Sequence, residues 1–556
     1  MSVPAPQPGS GPGATTRQHR TAPFGGAGRL AEEARGRMWA VVLLIVLATE
    51  VAPMQYTLVA TATERIGHSF PSVGSDLSWM VIIIGLVGGA TTPIIGKLAD
   101  LFGKKLLLVA GTLVFLLGSV LCAVTHDWTL FLVGRAFQST SFAITAVAAS
   151  LMRDILPRKY VTIAVGALAT GIGVSSLATP FLGAWLNDTW GWRAMFWLLV
   201  VYTAFILPLV IRFVPESEVR VGQSLDWVGS ILLGAGAALI LLYISRGQDW
   251  GWGRPSAWGY ALAGVTALLV FPIRERHAKD PIIDPDLLKT PKVSMLLAVG
   301  LFSQMMVGIQ GYALAYMAQT DRDVVHDGVI AGVAQEAGTT ADRIAPAITF
   351  HGDITYALGF GLTALAVHLM TWQTVPSMVS GPAAGFIGRK RGLRLPYLWS
   401  LLLMTAAMGL YGFLHGSWQV LLPIGVVFGL ATGLYYGTDN NLVIEAVPEK
   451  QQGIAAGMLT LAESFGASFG IAILTAILSA HPYQASLDDG SGNVSTFDIP
   501  QVFTDSGWTA GFFAATAAGV IAGTIGLFMK SGRTPATGGR PENAAEPAAK
   551  PRAETS

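Results

Sequence analysis

The chain has 556 residues, of which 52% are hydrophobic and only 12% charged. That charged share is about half that of a soluble domain and points to a protein that lives in a bilayer. A net charge of +1 gives no basis for binding nucleic acid, and a single cysteine, Cys122, excludes a disulfide within the chain.

Residues 1–37 are rich in Pro, Gly, Ala and Arg and read as a disordered cytoplasmic head, as 531–556 read as a disordered tail. The first apolar run is too long for the core of a secretory signal. Mostly apolar windows of about 20 residues, the length that crosses a bilayer core, fall at 38–61, 77–99, 106–125, 129–151, 162–184, 194–213, 225–245, 257–273, 293–318, 362–387, 395–414, 419–444, 453–479 and 509–530. These fourteen spans put both termini on one side. With the termini in the cytoplasm, 28 of the 35 Lys and Arg lie inside and six outside, and the remaining one, Arg135, lies within a span. Such a split is a strong positive-inside signal for a multi-pass protein of the cell membrane.

Between the second and third spans, residues 96–105 read GKLADLFGKK. Gly96 suits close helix approach, Gly103 suits the left-handed turn that reverses the chain, and Lys104 and Lys105 hold that turn inside. Asp100 is not required by the positive-inside rule. Its carboxylate suits a bond to an arginine or a helix N-terminus of a neighbouring bundle, a contact that would hold the inner side shut. Residues 381–390, GPAAGFIGRK, repeat the pattern with Gly385 in place of the aspartate. The offset maps span two onto span ten, which predicts two six-helix repeats and two additional central helices. The expected fold is therefore all-α, with a first bundle over 38–213, a linker with the two extra helices over 214–292, and a second bundle over 293–530.

The GKLADLFGKK stretch is similar to the loop signature of the major facilitator superfamily, although Leu101 stands where that signature prefers a basic residue. With fourteen spans the chain resembles the drug:proton antiporter branch, the multidrug efflux proteins. The resemblance covers about 38–530.

An ionisable residue inside a span is a functional candidate because leaving it unpaired there is costly. The segment TLFLVGRAFQSTSFAITA places Arg135, Gln138, Ser139 and Thr145 near one helical face. Gly134, Arg135 and Gln138 match the superfamily's fourth-helix signature, which implies a role for the arginine in proton coupling; the alternative is a cross-link between helices. Glu50 lies at a similar depth in span one and is the expected partner of Arg135. The family's first-helix aspartate aligns with Gln55, so Glu50 would stand in for it. Glu463 is the other mid-span acid and suits a proton or a cationic substrate, or else a bond to a neighbouring helix. It need not share the packing face of Gly457, Gly466 and Gly470. Asp439, beside Asn440 and Asn441, is as consistent with an interfacial place as with a functional one. In span five Gly171, Ser175, Thr179 and Gly183 recur every four residues, and Pro180 adds a kink. Pro180 and Gly183 match the antiporter signature of the exporting branches, which implies export; ordinary helix packing is the other reading.

Residues 319–361 form a long outer insertion rich in Asp, Glu and His. Their spacings fit no metal-ligand motif, and the expectation is an acidic solvated cap in which VIAGVAQEAG forms a short helix over the outer mouth. No phosphate loop, zinc ligand set or nucleophile-and-base constellation is present, so neither an enzyme nor a bound cofactor is expected, and an ion gradient is left as the energy source. The reading is a proton-coupled secondary transporter, working as a monomer in the lipid bilayer, that exports amphipathic or hydrophobic small molecules by alternating access. A dedicated exporter of a lipid or secondary metabolite, and a proton-coupled uptake transporter, are the alternatives.

Overall fold

The computed structural model describes residues 24–25, 29–30, 35–220, 226–278, 281, 283, 285–448, 451–488 and 493–533. Within the head, β1 (Phe24–Gly25) pairs with β2 (Arg29–Leu30), and helix begins at Arg35. The rest of the expected disorder in the head and tail lies outside the described residues, apart from Ser531–Arg533.

Thirteen helices among the described residues are long and apolar enough to cross a membrane. The first nine spans are α1 (Arg35–Val59), α2 (Trp79–Phe102), α3 (Lys104–Val124), α4 (Trp128–Ile155), α5 (Arg158–Trp190), α6 (Arg193–Phe213), α7 (Trp227–Trp250), α8 (Pro255–Glu275) and α9 (Pro291–Gln319). The tenth expected span, α10, is built of Leu362–Leu365, a π turn Ala366–Met370 and Thr371–Arg391. It is helical but too polar to rank with the others, because Gln373, Thr374, Ser377 and Ser380 interrupt its apolar surface. Then follow α11 (Arg394–Phe413), α12 (Trp418–Ala446), α13 (Gln452–Ser479) and α14 (Asp505–Phe528).

In lipid the helices gain little from burying apolar surface against one another, so close backbone approach does much of the holding. A Cβ on Gly308 of α9 would stand 2.5 Å from the Ala467 carbonyl oxygen of α13, and one on Gly470 of α13 equally close to that of Met305. Gly466 faces the Leu301 carbonyl in the same seam, whereas Gly457 has no neighbour within 4 Å. Gly118 and Gly134 bring α3 and α4 together in the same way. The extra helix α7 lies along α2: Arg246 pairs with Asp76, Trp79 Nε1 donates to Ser245 Oγ at 2.9 Å, and Gly234 faces Ala90. At the far end of α2 Lys97 Nζ donates to the Pro281 carbonyl, beyond α8, at 3.0 Å.

With the Lys/Arg-rich side as inner, the two bundles meet in their outer halves. Ser468 Oγ of α13 donates to the Ile82 carbonyl of α2 at 3.3 Å, Gly89 of α2 lies against Ser464 and Phe465, and Met378 of α10 packs on Gly173 of α5. Towards the inner side Gly96 (α2), Gly166 (α5), Gly385 (α10) and Gly457 (α13) have nothing within 4 Å of the place a Cβ would occupy. The structure is closed outside and open inside. The close contact expected at Gly96 is accordingly absent, because that helix end faces the inner opening.

The all-helical expectation holds for the spans; apart from the β1–β2 pair in the head, the strands among the described residues lie beyond the outer ends of the spans. There β3 (Ile348–His351), β4 (Pro482–Asp488) and β5 (Val494–Phe503) form an antiparallel sheet in the order β3-β4-β5, with Phe350 opposite Ala485 and Ala485 opposite Phe497. It joins the insertion between α9 and α10 to the connection between α13 and α14. The expected outer helix is present as Arg322–Glu336. His326 on it stacks on Phe350 with ring centres 3.8 Å apart, and its Nε2 lies 2.9 Å from the Tyr483 hydroxyl.

Candidate functional site

The turn between α2 and α3 is built as its residues dictate. Gly103 adopts φ 129°, ψ 135°, open to glycine but rarely to other residues, and the helix restarts at Lys104. Glu216, just after α6, caps that restart: its carboxylate accepts from the backbone N–H of Lys105 at 2.9 Å and of Leu106 at 3.1 Å. Lys105 Nζ donates to the Ile211 carbonyl at 2.8 Å. Lys104 is nearly buried and reaches Asp154 at 2.5 Å, and Ser217 Oγ donates to the same carboxylate. Asp100 does not reach across to the other bundle. It lies 3.4 Å from Lys104 one turn along its own chain and stays about one-third exposed. The expected contact with the neighbouring bundle is thus not made in this structure, where that helix end faces the inner opening.

In the first bundle Arg135 is fully buried on α4. Its Nη1 donates to Gln55 Oε1 at 2.9 Å and to Gln138 Oε1 at 2.6 Å, and its Nε donates to the Met80 carbonyl at 2.9 Å. Gln138 Nε2 passes the network on to Ser119 Oγ at 2.8 Å. The expected Arg135–Glu50 pair does not form. Similar depth is not similar direction: Gln55 points from α1 towards α4, whereas Glu50 points towards α5. A Cβ on Gly171 would collide with the Glu50 carboxylate, and Ser175 is its polar neighbour. Glu50 sits where α1 breaks between Thr49 and Val51, and both its carboxylate oxygens are buried without a hydrogen-bond partner among the described residues. The small residues of span five thus make room for an acid. Further along α5, Thr179, Pro180 and Gly183 are buried, and Pro180 lies inside the helix.

The second bundle brings together two candidate acids that the sequence places in separate spans. Asp439 is not interfacial: it is only 2% exposed, and its carboxyl faces that of Glu463 within hydrogen-bonding reach. Tyr435 OH donates to Glu463 Oε1 at 2.8 Å, and Gln304 Nε2 donates to Tyr436 OH at 3.0 Å beside it. Gly300 of α9 lies against Glu463 and the Tyr435 hydroxyl, so that a side chain there would crowd the pair. Oδ1 of Asp439 has no hydrogen-bond partner among the described residues. A carboxylate only accepts hydrogen bonds, so two carboxyls can be bonded to each other only if the pair carries a proton. Two ionised groups in that place would repel in a low dielectric.

Sequence reading missed Tyr435, Tyr436 and Gln304 as partners of Glu463, although two adjacent tyrosines in an apolar span were a usable signal. It also missed Asp154, Ser217 and Glu216, which depend on which helix ends meet. Among the described residues no cluster of three or more His, Cys, Asp or Glu is placed to hold a metal ion.

Two helical bundles closed on one side of a membrane and open on the other, each with ionisable groups buried in its span region, are the architecture of an alternating-access transporter. The family model of the Major Facilitator Superfamily matches residues 41–335 and 296–554, and the chain belongs to that family. It is similar to the uncharacterized MFS-type transporter YvkA of Bacillus subtilis, 29% identical over 45% of this chain and 56% of that protein. It is also similar to the probable actinorhodin transporter of Streptomyces coelicolor, 24% identical over 83% of this chain and 76% of the relative. The multidrug transporter protein MdtP of Bacillus subtilis is likewise 24% identical, over 86% and 80%. The chain thus spans little more than half of the first of these relatives and three quarters or more of the other two. Among solved structures, a D-xylose-proton symporter superposes with a TM-score of 0.57 at 13% identity, covering 90% of this chain and 99% of that one.

Proposed function

We propose that this protein is a proton-driven exporter of amphipathic or hydrophobic small molecules, inserted in the cell membrane with both termini in the cytoplasm. The observation that carries the reading is the buried Asp439–Glu463 pair, held by Tyr435 in a bundle whose interior is open on the inner side. A pair that is bonded only when it carries a proton changes its packing when the proton leaves, and so links protonation to helix position. Glu50, against Ser175 and Gly171, is a second acid without a fixed partner and offers a place for a proton or a cationic group. Arg135 acts through Gln55, Gln138 and the Met80 carbonyl as the cross-link that keeps α1, α2 and α4 together around that acid. Asp100 belongs to the opposite state. With the inner side closed, α2 meets the second bundle there, and Asp100 holds the outward-open form. The export direction draws on the likeness of Pro180 and Gly183 to the exporting branches, and the drug-like cargo draws on the probable actinorhodin transporter and MdtP, whose names describe transport of actinorhodin and of multiple drugs.

The test is flux in everted membrane vesicles. An imposed pH gradient, acid inside, should drive accumulation of a fluorescent amphipathic cation such as ethidium, and a protonophore should abolish it. Accumulation that ignores the gradient would overturn proton coupling. Uptake only in the reverse orientation would favour an importer.

A further inference from the structure

Gln501, near the end of β5, is the only non-glycine among the described residues with positive φ, at 61°. Side-chain-bearing residues keep that conformation only where their surroundings hold them in it. Two anchors do so here. The backbone carbonyl of Gln501 accepts a hydrogen bond from Tyr316 OH of α9 at 2.6 Å, and Tyr316 itself packs on Trp508 of α14, with ring centres 5.8 Å apart. That anchor is in the second bundle. The side chain goes the other way: its Nε2 lies 3.4 Å from both the Gly67 and the Phe70 carbonyls, in the turn between α1 and α2 of the first bundle. Gly67 is shaped for it, since a Cβ there would stand 2.5 Å from Gln501 Oε1. Gln501 also walls a cavity of about 300 Å³ that reaches Glu64 and His68 of the first bundle and Tyr316 and Thr320 of the second. The sheet that carries it is otherwise tied to the second bundle: Thr504 N donates to the His481 carbonyl and Asp505 N to that of Asp353.

We infer that Gln501 is the pin of the outer gate, and that opening to the outside requires its amide to withdraw from the Gly67–Phe70 turn. The strained backbone serves this role. Once the amide leaves the turn, only the Tyr316 bond of the two anchors is left to hold residue 501 at positive φ, so the docked and withdrawn forms are two discrete arrangements. The β3-β4-β5 sheet then moves with the second bundle as a lid. The inference rests on the alternating-access reading but not on protons as the driving ion.

The test reads gate opening directly. In a Cys122→Ala background, Gly311→Cys on α9 places a thiol beneath the pin, where a Cβ meets only the Tyr56 hydroxyl at 3.6 Å. The membrane-impermeant reagent MTSET is applied to the outside of intact cells, and the labelling rate is measured. Gln501→Glu keeps the length of the side chain but removes both donors, and it should raise the rate about tenfold, a modest shift for two weak hydrogen bonds. Gln501→Gly should do at least as much, while Gln484→Ala, whose partner Asp498 lies within the sheet, should leave the rate unchanged. Gly67→Ala attacks the same contact from the first bundle and serves if the Gln501 variants fail to accumulate. Rates within about twofold of the parent for both Gln501→Glu and Gly67→Ala would overturn the pin. A raised labelling rate in a protein whose transport ignores a pH gradient would overturn proton coupling and leave the pin standing.

Discussion

Replacing Gln55 by leucine tests whether the buried arginine is the hub of the first bundle. The change keeps the volume of the side chain and removes one of three acceptors that face the Arg135 guanidinium, the one at 2.9 Å. The acceptors on Gln138 and Met80 remain. A hydrogen bond to a charged group is worth about 1.5–3 kcal/mol, and a buried donor left unsatisfied costs a similar amount. Arg135 is 0% exposed, so water cannot make good the loss. The expected destabilisation is therefore about 2 kcal/mol, or roughly thirtyfold in the unfolding equilibrium. Gln55→Leu, Arg135→Met and the double variant would be compared by denaturation in detergent micelles, followed through intrinsic tryptophan fluorescence. If the two side chains act on each other, the double variant loses less than the sum of the singles, by at least about 1 kcal/mol. Additivity within about 0.4 kcal/mol would refute the contact. Gln55→Glu is the companion variant: it offers Arg135 a carboxylate at the same reach and should retain stability while altering the dependence of flux on pH.

Four further outcomes are expected. Glu463→Gln and Asp439→Asn should each leave membrane abundance near normal and abolish gradient-driven accumulation, which for one coupled proton is about tenfold per pH unit in the parent; normal accumulation by both would exclude the pair as carrier. Gly308→Ala should lower thermal stability by about 1–3 kcal/mol through collision with the Ala467 carbonyl, whereas Gly457→Ala should be neutral, and equal melting of the two proteins would contradict the packing described for α9 and α13. In the outer cap, burial and then the neighbouring Arg322 hold the His326 ring below its ordinary range, while Asp323 and Asp327 act the other way. The folded cap therefore binds its proton less readily than the unfolded chain, so its stability is complete above about pH 6.5 and falls as pH drops below that; the protection of the β3 and β4 amides against hydrogen exchange, relative to the intrinsic rate at each pH, should be lower at pH 5.5 than at 7.5, and the same change in a His326→Gln protein would show that another group is responsible. Asp100→Asn should reduce flux without reducing abundance, and full flux would remove its role in the outward-open state.

Much of this molecule was legible because the bilayer imposes a coarse grammar. Length and apolar content located the spans, and the Gly103 turn followed from chain reversal between helices. The loss of resolution began where helical direction mattered. Glu50 and Arg135 lie at similar depth, yet five residues of α1 separate Glu50 from Gln55, and that rotation hands the arginine to the amide and not to the acid. The sequence left Asp439 open between an interfacial and a functional place because its neighbours in sequence are asparagines, while its neighbours in space are Glu463 on α13 and Tyr435 on α12. Glu216 and Asp154 are ordinary charges at span ends until α3, α4 and α6 converge. The outer sheet joins two connections more than a hundred residues apart, and no local pattern in either one announces the other.

The contacts along α2 have a mechanical consequence. From Asp76 and Trp79 at its outer end, through Ala90, to Lys97 at its inner end, α2 is fastened to α7 or to the chain beyond α8. A helix nailed down at four heights cannot tilt alone. Because α7 also packs on α13 of the second bundle, a swing of the first bundle must either carry α7 and α8 over α13 or strain that seam. Either way the extra pair moves against lipid, so thickness and stiffness of the surrounding membrane become part of the turnover rate. The two extra helices thus tie the pace of the cycle to the lipid in which it runs.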